Sequence, residues 1–128
     1  MTTKILVVDD EPDLQELVKR RFRRELRRGD YALHFAGSGE EALATLTQGV
    51  EPAVVLILSD INMPGMSGLD LLKETKRLWP ALPVAMITAY GDPDSRRRAI
   101  EAGATDFLTK PLDFDELKLK IQQMTEAR

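Results

Sequence analysis

An α/β fold is expected, a parallel sheet covered by helices on both faces, and three observations predict it. Five short apolar runs alternate along the chain with five stretches of helical periodicity. The most apolar run, Ala53-Val54-Val55-Leu56-Ile57-Leu58, has neither helical nor alternating pattern, as a central strand buried on both faces would. Cap and turn residues punctuate nearly every junction, so the elements read as strand, helix, strand, joined by right-handed crossovers.

Taken in order, Lys4 to Val8 reads as the first strand, closed by Asp9 and Asp10. Pro12 suits the first turn of a helix carrying Leu14, Leu17, Val18, Phe22 and Leu26, which Gly29 ends. Tyr31 to Phe35 is a shorter strand, nearer an edge. Ser38 with Glu41 predicts a capping box before Ala42, Leu43 and Leu46. The central run ends at Asp60. Gly68 to Leu78 predicts a helix with Leu69, Leu72 and Leu78 inward, stopped by Pro80. Pro83 to Ile87 is a strand ending at Thr88. Asp92-Pro93 opens a helix running to Gly103, Thr105 to Leu108 is the last strand, and Lys110-Pro111 follows. Asp113 caps a final helix with Phe114, Leu117, Ile121 and Met124 on one stripe.

At 128 residues the chain reads as one domain, residues 1–128, long enough for a real core, though it could be one domain of a longer protein. With 43% apolar and 30% charged residues it has ordinary globular composition. A net charge of −3 argues against direct nucleic-acid binding. The absence of cysteine excludes disulfides, thiolate metal sites and cysteine nucleophiles. No signal peptide or membrane span is read, so a cytoplasmic protein is expected.

In open parallel sheets the functional crevice lies at the carboxyl ends of the strands. Asp9, Asp10, Asp60 and Thr88 end strands here, and Lys110 lies just past the last one. Singly, each has a plain reading: turn-forming aspartates, a strand-end hydroxyl, a solvated lysine. Together they do not. Two carboxylates ~4 Å apart repel by about 4 kcal/mol at an effective dielectric near 20. Helix capping by Asp10 would return only about 0.3–1 kcal/mol. A hard divalent cation removes that cost, and oxygen ligands without His or Cys point to Mg²⁺, with Mn²⁺ a substitute. Asp9, Asp10, Asp60 and Lys110 sum to −2, which one Mg²⁺ neutralises. An anion can then enter. Aspartate is a covalent phosphate acceptor, and Lys110 and Thr88 suit phosphoryl oxygens.

Four stretches carry a resemblance: Ile5-Leu6-Val7-Val8-Asp9-Asp10-Glu11, Ser59-Asp60-Ile61-Asn62-Met63-Pro64-Gly65-Met66-Ser67-Gly68, Met86-Ile87-Thr88-Ala89-Tyr90 and Gly103-Ala104-Thr105-Asp106-Phe107-Leu108-Thr109-Lys110-Pro111. In this order and spacing the chain resembles, over essentially its whole length, the receiver domain of bacterial two-component response regulators. The resemblance implies a flavodoxin-like three-layer fold with strand order 2-1-3-4-5, whose crevice lies between strands one and three. It implies that Asp60 accepts a phosphoryl group from a sensor histidine kinase or histidine phosphotransfer domain. Asp10, Asp60 and the Asn62 carbonyl would bind Mg²⁺ directly, and Asp9 through water. Thr88 and Lys110 would hold the phosphoryl oxygens. Thr88 and Phe107 would form the switch, the ring exposed before phosphorylation and turned inward after it. Asn62, Ala89 and Tyr90 would tune hydrolysis, and Lys110-Pro111 would be cis. Catalysis would be confined to the domain's own phosphorylation and dephosphorylation. Output, and any homodimer, would use the face made by the Asp92–Gly103 helix, the last strand and the last helix. Arg96, Arg97, Arg98, Asp106, Lys118, Leu119 and Lys120 are expected there.

Three rival readings fit the residues less well. A phosphorylation-independent docking module would not need Asp9, Asp10, Asp60, Thr88 and Lys110 intact. An aspartyl-phosphate phosphatase wants a second Asp two residues after its nucleophile, and a cap; Asp9-Asp10-Glu11-Pro12 and the short loops supply neither. A flavin binder of this fold wants a Gly- or hydroxyl-rich loop after the first strand. The basic residues Lys19, Arg20, Arg21, Arg23, Arg24, Arg27 and Arg28 read as a solvated face or as a dock for an acidic kinase surface. His34 reads as a surface residue.

Overall fold

The computed structural model describes residues 2–48, 56–89 and 93–126. Five strands, β1 (Thr3–Val8), β2 (Tyr31–Ala36), β3 (Leu56–Asp60), β4 (Val84–Thr88) and β5 (Asp106–Thr109), pair in parallel in the order β2-β1-β3-β4-β5. Among the described residues six helices connect and flank them: α1 (Pro12–Arg21), α2 (Arg23–Arg28), α3 (Gly39–Thr47), α4 (Gly68–Leu78), α5 (Pro93–Glu101) and α6 (Phe114–Glu126). The expected order is therefore present, with β1 and β3 adjacent in the register Ile5↔Leu56 to Val8↔Ser59.

Successive residues of a strand point to opposite faces, and here both faces are covered. Leu6, Val8, Ile57, Val84, Met86 and Phe107 pack with Ala42, Leu71, Leu72 and Ala99 under α3, α4 and α5. Ile5, Val7, Leu56, Leu58, Ala85, Ile87 and Leu108 pack with Val18, Phe22, Leu117 and Ile121 under α1, α2 and α6. This two-sided burial is why β1 and β3 read as unbroken apolar runs. Residues 53–55 of the central run lie outside the described residues.

Several local expectations need correction. The first helix is two, meeting at Phe22 (φ −100°, ψ 11°). Phe22 is buried, edge-on to Tyr31 and Phe114 at ring-centroid separations of 5.7 and 6.4 Å. Its N–H still donates to the Val18 carbonyl and its carbonyl accepts from Leu26 N–H, so the axis bends where the ring is drawn inward. Ser38 caps α3 through Glu41 N–H, but the Glu41 carboxylate takes the N–H of Gly37, leaving the box half made. A complete box forms at Ser67 and Asp70 instead. Leu78 is exposed; Leu71, Leu72 and Thr75 hold the buried face of α4, and Trp79 packs on the core in its place. β5 runs one residue later than expected at each end. His34 is half-buried, and its Nε2 is enclosed without a hydrogen-bond partner. Pro12 at the start of α1, the left-handed Gly29 and Gly103, and the Asp113 cap are as expected.

Candidate functional site

The strand ends are fixed by ladder bonds that continue past them. Asp9 N–H donates to the Ala36 carbonyl, Ile61 N–H to Ile87 and Lys110 N–H to Thr88, the last at 2.8 Å. These bonds bring together residues up to 101 positions apart. Lys110 Nζ lies 3.1 Å from Asp9 Oδ2, 3.2 Å from Glu11 Oε1 and 3.7 Å from Asp60 Oδ2. Asp9 is fully buried, Asp60 is 5% exposed and Thr88 is buried, whereas Asp10 and Asn62 are exposed. Lys110-Pro111 is cis, as expected.

Carboxylate oxygens of Asp9, Asp10, Glu11 and Asp60 all lie within 4.8 Å of one another. Glu11 was missing from the sequence-based ligand set. It starts a helix, where an acidic residue already has a reason to be, so the sequence gives it no separate signal. It takes the formal charge of the rim from −2 to −3. Asp9 is the internal brace: its Oδ1 accepts Glu11 N–H at 2.8 Å while its Oδ2 accepts from Lys110. Asp60 is left as the buried carboxylate with the looser hold on the lysine. Burial, and secondly the Asp9 charge, push its pKa above the usual carboxylate range. Burial would lower the Lys110 pKa, but Asp9, Asp60 and Glu11 together hold it above normal. The donor set fits a hard divalent cation: four carboxylates, one backbone loop and no nitrogen or sulfur ligand.

The Asn62–Gly65 loop is held from two sides. Gly68 N–H donates to the Ile61 carbonyl at 2.8 Å, and a Cβ on Gly68 would lie 2.0 Å from the Asp60 carbonyl oxygen. Only glycine lets α4 begin this close to the end of β3. From the other side the Glu40 carboxylate accepts Met66 N–H.

Two expectations about the output face change. Phe107 is already inward, 6% exposed within the core, with the Arg96 guanidinium 6.0 Å from its ring centre. An inward swing from an exposed position is therefore not available to this conformation. Lys120 does pair with Asp106, at 3.0 Å, but Lys118 turns the other way and pairs with Glu25 of α2. Leu119 accompanies it into a concavity with Thr3, Arg28 and Tyr31. Arg97 and Arg98 remain on α5, paired with Asp94. Ala89 is exposed at the end of β4, and Tyr90 lies outside the described residues.

Comparison with known proteins agrees with this geometry. The chain belongs to the response regulator receiver domain family, whose pattern it matches over residues 5–122. It is 44% identical over 115 residues to the response regulator protein PilR of Pseudomonas aeruginosa, covering 90% of this chain and 24% of PilR. The chain thus spans about a quarter of that relative's length. Among solved structures, a putative response regulator from Chloroflexus aurantiacus superposes with a TM-score of 0.86 at 32% identity over 100% of both chains. TrrA of Thermotoga maritima, solved in complex with Mg²⁺-BeF, gives 0.79 at 36% identity over 95% of this chain and 98% of that one. The protein is therefore a receiver domain of the two-component signalling class. No helix among the described residues is long and apolar enough to cross a membrane.

Proposed function

We propose that Asp60 is the phosphoacceptor of a Mg²⁺-dependent signalling switch, phosphorylated by a sensor histidine kinase or histidine phosphotransfer domain. The observation that carries this reading is the pairing of a buried, poorly compensated Asp60 with Lys110 beside three further carboxylates. An Asp60 oxygen attacks phosphorus, and the bond from phosphorus to the donor's leaving atom breaks. Lys110 Nζ is shared among three carboxylates, so it can turn towards a phosphoryl oxygen without leaving Asp9 unpaired. Thr88 supplies a hydroxyl to a second oxygen. Asp10, Asp60 and the Asn62 carbonyl would hold Mg²⁺, with Asp9 behind them and Glu11 at the edge. When bound, the ion would offset two of the rim's three negative charges and polarise the phosphoryl oxygens.

Hydrolysis would return the switch to rest. Asn62 is exposed beside Asp60 and can orient water, and Ala89 and Tyr90 would restrict its approach. The signal would leave through Thr88 and β5 to α5. With Phe107 already packed inward, the response falls on Arg96 and α5 rather than on a large ring swing. Output and any self-association would use the α5–β5 side of the sheet with Lys120.

Beryllofluoride with Mg²⁺ tests the reading by NMR, the fluorides standing in for phosphoryl oxygens. Amide shifts are expected at Asp60, Thr88, Phe107 and along α5, and none in Asp60→Asn. Shifts confined to the immediate pocket would contradict the switch. No shift at all would contradict the site.

A further inference from the structure

The α1–α2 arginines are not used by the phosphoryl site, and most of them differ from Arg77, Arg97 and Arg98 elsewhere on the surface. Arg77, Arg97 and Arg98 each hold a neighbouring carboxylate on their own helix. Among the described residues, Arg20, Arg23, Arg24 and Arg27 make no ion pair, although all four are exposed. They repel one another at i, i+4 and i, i+3 spacing. Arg24 and Arg27 lie one turn apart on α2, and Arg20 stands on the last turn of α1, across the bend at Phe22.

This surface lies at the opposite pole from Asp60. Arg28 pairs with Asp30, and the Asp30 carbonyl accepts Thr3 N–H at the start of β1. Asp9 follows the other end of that strand, about 20 Å away at ~3.3 Å per residue. A partner here would leave the rim accessible.

We propose that the α1–α2 arginines and Leu119 form a docking surface for an acidic amphipathic helix of a partner protein. Charge complementarity sets the sign, and three features favour a protein over a phosphate polymer or a lipid surface. The cations are nearly all arginine, the one basic residue enriched at protein interfaces, where lysine is depleted. Arg24 and Arg27, one turn apart on α2, have the spacing of glutamates at i and i+3 on a facing helix. The adjoining concavity is mixed in charge: Glu25, Asp30 and Asp115 face it beside Lys118 and the 55%-exposed Leu119. Lys118 and Arg28 already pair with Glu25 and Asp30, and Asp115 is the carboxylate left to repel a polyphosphate. A helix can meet it with a lysine and cover Leu119 with an apolar side chain. The inference is independent of the phosphoryl-transfer reading.

The test uses the whole chain, ¹⁵N-labelled, titrated at near-physiological salt with a ~20-residue helical peptide. The peptide carries a Glu row beside a Leu row. Shifts are expected on α1, α2 and Lys118–Leu119, not at the rim. Arg20→Glu/Arg24→Glu/Arg27→Glu should weaken binding about tenfold or more and transfer preference to a peptide with Lys in the Glu row. Leu119→Ser should weaken it to a smaller extent. Acyl-phosphate labelling of Asp60 should be unchanged in both variants. Absence of shifts, shifts at the rim, or binding indifferent to charge reversal would overturn the proposal. So would tighter binding of duplex DNA or phosphatidylserine vesicles to the same residues.

Discussion

Asp60 is held in a state that folding alone would not choose. Its carboxyl is buried, and burial followed by the Asp9 charge raises its pKa from 3.8. A carboxyl raised on folding disfavours the folded chain once ionised. The deficit is absent below the unfolded value, develops as pH rises through the folded value, and is complete at neutral pH. Asp60→Asn should therefore raise the thermal midpoint at neutral pH without divalent ions. The gain should vanish on acidification below about pH 4. Unfolding curves at the two pH values check this, and a variant less stable than wild type at neutral pH would contradict it. At this scale Asp9, Asp60, Thr88 and Lys110 were legible because each ends, or lies just beyond, an apolar run. Glu11 was not, since a helix start explains it as well as a site does. The inward Phe107 was not either, because a side-chain rotamer is decided by the packing around it.

Between elements, α4 begins close against the end of β3. Gly68→Ala would put a methyl 2.0 Å from the Asp60 carbonyl oxygen and 2.7 Å from the Ile61 Cα, both backbone atoms. Neither can move without carrying Asp60 with it. Overpacking of this kind costs about 1–3 kcal/mol, and Gly68→Ala should lose at least that in denaturant unfolding. It should also slow acyl-phosphate labelling of Asp60. Wild-type stability and labelling would show that the helix simply moves away. Element type was read correctly throughout, but details at the ends were not. The box at Ser67 and Asp70 uses Asp where Glu or Gln is usual, so the pattern hid it. The bend at Phe22 interrupts a sequence whose apolar spacing runs on, because the cause is an aromatic cluster with Tyr31 and Phe114, distant in sequence.

Across the whole molecule, alternation of apolar runs and helical stretches was enough for a parallel two-faced sheet. Strand order was not readable from it, because periodicity carries no information about which strands are neighbours; the family resemblance implied it. Nor could sequence tell which way α6 presents Lys118 and Leu119. That depends on the rotation of α6 about its axis, fixed by Leu117 and Ile121 in the core. The result separates two surfaces. Lys120 stays with Asp106 near α5, while Lys118 joins Glu25 and the α2 arginines at the other pole. The central claim concerns the rim: Asp60 accepts a phosphoryl group with Mg²⁺. Intact mass after incubation with a small acyl phosphate and Mg²⁺ tests it most directly. One added phosphoryl group is expected on the wild type, with none on Asp60→Asn and none in the presence of a chelator. Equal labelling of Asp60→Asn, or labelling indifferent to the chelator, would contradict it.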